Sequence, residues 1–136
     1  MQPDTDTPMT IREMSDAFDT LMKGTTMFHE YPKQFPTAAI MYLAPLLRGT
    51  IPDNRPLAIN AAYTVVSFGL GQIVPVGGDV VMGSSVVSAA QCADMLEAAS
   101  KHQEGENFAA MAAVPWEVIV PVLVKWLDRF LERRLG

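Results

Sequence analysis

The run WEVIVPVLVKWLDRFLERRL, residues 116–135, begins almost wholly apolar, carries Pro121 in its middle and ends in interleaved acids and arginines. Read as one α-helix, Ile119, Leu123, Leu127, Leu131 and Leu135 form a row at spacing four, with Val122, Trp126 and Phe130 in the adjacent row. The stripe is wider than a coiled-coil seam. Lys125, Asp128, Arg129, Glu132 and Arg133 take the opposite face and can pair at spacings of three and four. A membrane-surface helix would show a polar face dominated by Lys and Arg, and here acids intervene. A transmembrane helix needs about twenty predominantly apolar residues, whereas only seven uncharged residues separate Glu117 from Lys125. Packing against protein is the remaining use, at roughly 1.5–3 kcal/mol for each large side chain buried. This amphipathic C-terminal helix, 115–136, sets the expectation for the rest of the chain.

The 136 residues suit a single helical domain with a real core. Hydrophobic residues make up 49% and charged residues only 18%, below the usual quarter. The shortfall is local: between Gln34 and Ala93 the only formal charges are Arg48, Asp53, Arg55 and Asp79. A net charge of −5, with Arg129, Arg133 and Arg134 interleaved with acids, argues against a phosphate-tracking surface and against nucleic acid as a partner. Cys92 is the only cysteine, so neither an intrachain disulfide nor a thiolate-rich metal site is expected. The opening MQPDTDTPMT lacks the basic and apolar regions of a secretory signal. A cytoplasmic or particle-interior setting fits best.

Residues 1–9 read as an N-terminal tail. Thr10 and Glu13 then form a capping box, with Met9 and Met14 at the positions of a hydrophobic staple, and the spacing predicts a helix over 10–23 with Gly24 as its stop. TTMFHEYPKQFP follows. Pro32 and Pro36 keep their predecessors extended, giving an aromatic arm over 24–36. PTAAIMYLAPLL, 36–47, reads as a helix bent or stopped by Pro45. The apolar stretch 57–70 fits helix or strand equally. Residues 69–83 read as an irregular glycine-rich loop or a small β-hairpin, and Ser84 or Ser85 as the cap of a helix reaching about Lys101. A short helical turn is expected near 107–113. The fold class is all-α, about five helices, two of them interrupted by proline.

Motifs for chemistry are weak. HEYPK, 29–33, lacks the second histidine of a zinc-protease helix, and Pro32 would break that helix. GDVVMGSS, 78–85, has the glycine spacing of a phosphate loop but places Ser84 where the lysine belongs. His102, Glu104 and Glu106 are close in sequence but read as a solvated linker, and Cys92 as a small buried hydrophobe. No catalytic residue, metal or cofactor is expected, and the chain does not read as an enzyme.

The reading is therefore a non-catalytic structural or interaction subunit of a larger assembly, such as a virion, secretion or multisubunit particle, with protein partners or self-assembly. The partner-contact candidates are Phe28, Tyr31 and Phe35 on the arm, and Ile119, Leu123, Trp126, Phe130 and Leu131 on the closing helix. Two alternatives stand beside it. The uncharged stretches 34–47 and 56–78 about a polar turn, followed by a charged C-terminal end, are similar in layout to phage holins and other small hairpin membrane proteins. That layout implies spans within 34–78 and a membrane location. The third reading is a small carboxylate- and histidine-based enzyme or ligand-binding module using His29 or His102.

Overall fold

A computed structural model describes residues 9–23, 34–74, 81–82, 87–104 and 115–131. Among them are five helices and no strand: α1 (Ile11–Met22), α2 (Thr37–Arg48), α3 (Arg55–Ile73), α4 (Ala89–Glu104) and α5 (Trp116–Leu131). The all-α expectation is met.

The predicted capping box starts α1. The Thr10 N–H donates to Glu13 Oε1 at 2.9 Å, and the Glu13 N–H donates to Thr10 Oγ1 at 3.1 Å. The hydrogen bond from the Thr10 backbone, then that from its side chain, holds the Glu13 carboxyl below its ordinary range. Ile11, Met14, Phe18, Leu21 and Met22 turn inward, and Met9 packs against the same core.

Pro45 does not stop α2. The helix runs three residues past it and ends in a Schellman motif. Gly49 sits at φ 73 and its N–H donates to Leu46 O, while the Thr50 N–H donates to Pro45 O, each at 3.0 Å.

The stretch open to helix or strand is helix α3. Asn54 accepts from the Leu57 N–H at 3.2 Å, and Pro56 occupies the first turn, where its missing N–H costs nothing. Gly69 to Ile73, expected as loop or hairpin, are the last turns of this helix. The physical reason is contact: a Cβ on Gly69 would lie 2.8 Å from Val120 Cγ2 and 2.9 Å from Trp116 Cε3. The glycine lets two helices approach. Of the remaining glycine-rich stretch, 75–80 lies outside the described residues. Val81 forms a single antiparallel bridge with Thr10, and the Met82 N–H donates to Met9 O at 2.6 Å.

The cap of α4 is Ser88 rather than Ser84 or Ser85, which lie outside the described residues. The Ser88 N–H donates to Gln91 Oε1 at 2.9 Å and the Gln91 N–H to Ser88 Oγ at 3.1 Å. This second capping box needs a glutamine three residues on, which only Ser88 has. The helix extends to Glu104, past the expected Lys101. The turn expected near 107–113 lies outside the described residues.

Pro115 O receives the N–H groups of Val118 and Ile119 and so opens α5, which continues through Pro121. The expected one-sided stripe is too narrow for its first half, where every position from Ile119 to Val124 is buried. The solvent side begins at Lys125. α5 packs most extensively on α3, and α2 most extensively on α4. α2 also lies along α3, α4 touches α5, and α1 rests on α5 and α3. α3, which carries no charge after Arg55, lies against α5, α2 and α1, and that burial accounts for its missing charge.

Candidate interaction surface

The partner-contact candidates that fall on described side chains serve the chain's own core. Phe35, half-buried, meets Phe68 edge-on at 5.5 Å between ring centroids and Trp116 at 6.5 Å. Phe68 and Trp116 meet at 5.5 Å and 67°. These are the offset and tilted geometries that aromatic quadrupoles favour, so the arm's last aromatic closes the core where α2, α3 and α5 begin or end. Ile119 and Leu123 are fully buried and Trp126 is nearly so. Packing against protein is realised within the chain, because α3 covers the stripe of α5. Phe28 and Tyr31 lie outside the described residues, as do the side chains of Phe130 and Leu131.

Groups that could support chemistry do not converge among the described residues. Burial in α4 pushes the Cys92 thiol up to about 12, leaving it protonated and poorly nucleophilic at neutral pH. No three His, Cys, Asp or Glu among the described residues could together hold a metal ion. His29, Glu106 and the side chains of His102 and Glu104 lie outside them. Likewise, no described helix is long and apolar enough to cross a membrane. The hairpin reading requires α3 to show apolar side chains outward, whereas Ala58, Ala61, Ala62, Val65, Val66, Phe68 and Leu70 are buried within the chain.

The surface of α2 is the unusual one. Its exposed positions before Arg48 are Ala38 and Met41, with half-buried Tyr42 and Pro45 beside them at the spacing i, i+3, i+4, i+7, Tyr42 also packing against the core, and none is charged. Met41 is 70% exposed, the largest value among the exposed large hydrophobic residues that are described. A surface helix ordinarily turns charge toward water on this side. Arg48 continues the stripe at i+10 and marks its end. Its Nη2 donates to both Asp94 Oδ1 and Glu97 Oε1 of α4, fastening the two helices at the surface. The bond to Arg48 holds the Glu97 carboxyl below its ordinary range. The opposite end of α2 begins at Pro36, which supplies no side-chain cap.

The sequence held a signal for this surface. Residues 34–47 contain no charge on any side, so whichever face of a helix there turned outward had to be uncharged. Comparison with family models, with curated proteins and with solved structures finds no match.

Proposed function

We propose that this chain is a non-catalytic helical subunit that works by contact with protein, as part of a larger particle such as a virion, secretion or multisubunit assembly. The observation that carries the reading is the uncharged outer face of α2, exposed at Ala38 and Met41, Met41 to 70%, and half-buried at Tyr42 and Pro45. Apolar side chains that lie together at a surface mark contact sites more often than scattered ones do. The contact surface is thus assigned to α2, while the residues of α5 stabilise the subunit itself.

The test is oxidation footprinting of Met41, read by mass spectrometry. In the dilute purified chain Met41 is expected to react freely, and buried Met14 and Met22 slowly. In an extract of the source cell or particle, Met41 is expected to be protected relative to that baseline. Equal reactivity of Met41 in both preparations would sink the reading.

A further inference from the structure

We propose that Met9, Met14 and Met82 form an oxidant-sensitive latch that holds the start of α1 to the body of the protein, and that a peroxide opens it by converting Met9 to the sulfoxide. Two independent observations set the three side chains together. The antiparallel bridge pairs Thr10 with Val81, so the next rung sets Met9 opposite Met82, and the Met82 N–H donates to Met9 O. Directly opposed side chains share one face of such a pair, with Cβ atoms roughly 5 Å apart. That face is the inner one, since Met82 is 4% exposed while Val81, on the other face, is 56% exposed. Separately, with Thr10 as N-cap, Met9 and Met14 hold the two positions of a hydrophobic staple, which pack on each other across a helix start. Met9 is thus flanked by Met82 and by Met14, and all three join the core.

Thioethers suit this seam because they are apolar and adaptable. A sulfoxide does not. In the oxidation a lone pair of the Met9 sulfur attacks one peroxide oxygen, the O–O bond breaks and an S–O bond forms. Sulfur loses two electrons and the peroxide gains them. The proton left on the transferred oxygen passes to the departing hydroxide, which leaves as water. The new oxygen is an acceptor in need of a donor, and the nearby donors are committed. The Met82 N–H serves Met9 O, the Thr10 N–H serves Glu13 Oε1, the Glu13 N–H serves Thr10 Oγ1, and the Met14 N–H serves Thr10 O. The flanking thioethers offer no donor either. The oxidised side chain therefore turns toward water and takes the rung between Met9 and Met82 with it.

Exposure orders the reaction. Met14 and Met82 are buried and shielded, so half-buried Met9 is the member a peroxide reaches. Met41 reacts faster still, but its sulfoxide already faces water on α2 and opens no seam. Sulfoxide reductases, driven by a dithiol that becomes a disulfide, remove the oxygen as water and restore the thioether, so the latch is reversible.

The test treats the full chain with hydrogen peroxide and locates the sulfoxides by mass spectrometry. Trypsin reads the latch, because the bond after Arg12 lies in the first turn of α1 and is cut only when that turn opens. Oxidation of Met9 is expected to speed cleavage there at least about tenfold, the scale set by leaving a buried acceptor unpaired, with little change after Lys125 of α5. Met9→Leu keeps the apolar staple and is expected to abolish the acceleration although Met41 still oxidises. Met9→Gln, which carries a polar oxygen without any oxidant, is expected to reproduce it. The epimer-specific sulfoxide reductases with dithiothreitol are expected to restore slow cleavage. Acceleration that persists in Met9→Leu, or that is equal after Arg12 and Lys125, would overturn the latch. So would a Met9 that resists peroxide while Met41 is fully oxidised, or one that oxidises with no change in cleavage after Arg12.

Discussion

α2 and α3 are both nearly free of charge in sequence, and the fold uses them in opposite ways. α3 loses its charge because it is surrounded: from Val65 to Leu70 every position is buried, with α5, α2 and α1 against it. Among the described residues α2 packs on α4 and α3, and its outer face is exposed at Ala38 and Met41 and half-buried at Tyr42 and Pro45. An uncharged segment therefore has two distinct physical meanings, a helix buried by its own chain or a helix awaiting burial by another. Only the packing tells them apart.

The sharpest way to break this comparison is to attack the central pair. Leu123→Ala on α5, fully buried, is expected to cost about 2–5 kcal/mol in chemical denaturation, from lost transfer energy and the cavity left behind. Gly69→Ala is expected to cost about 1–2 kcal/mol. The new methyl meets Val120 and the ring of Trp116 within 3 Å, and this outweighs the gain of roughly 1 kcal/mol from replacing a helical glycine. A Gly69→Ala variant as stable as the parent would mean that α3 and α5 are not held as closely as described. Ser88→Ala removes the cap of α4 and is expected to cost about 1 kcal/mol.

At the other extreme, Met41→Glu is expected to leave the denaturation midpoint of the dilute monomer within roughly 0.5 kcal/mol, as substitutions at exposed positions do. A large loss of stability there would turn α2 from a contact face into core. The smallest expected effect concerns pH. The folded chain depresses the Glu13 carboxyl, so its contribution is present above the unfolded carboxylate range and is lost as pH falls through the folded value. Glu13→Gln should remove that fraction of the acid-limb slope in a pH series of melting curves, leaving stability near neutral pH changed little.

How much of this was legible beforehand varied with the kind of signal. The capping box at Thr10 and Glu13 is a local hydrogen-bond pattern carried by four consecutive residues, and it located α1 almost to the residue. The choice between helix and strand over 57–70 was not settled by periodicity, because 65–70 is buried at every position and has none. Its resolution lay just upstream, where Asn54 caps and Pro56 fits a first turn. Gly69 falls in the stretch expected as loop or hairpin because composition cannot separate a glycine needed for its dihedral freedom from one needed for its missing Cβ. The stripe on α5 was visible, but periodicity alone does not say whose surface covers it. For Ile119, Leu123 and Trp126 the answer is the same chain.

The bridge between Thr10 and Val81, with Met82 bonded to Met9, joins points separated by more than half the chain. Closing so long a loop carries a large entropic cost and adds little enthalpy of its own. Such a rung is expected to form late, once the helices on either side have already docked. The Met82 amide hydrogen is then a built-in reporter. Its exchange with deuterium follows the detachment of the N-terminal helix from the body of the protein, and it separates that partial opening from global unfolding at a single backbone position.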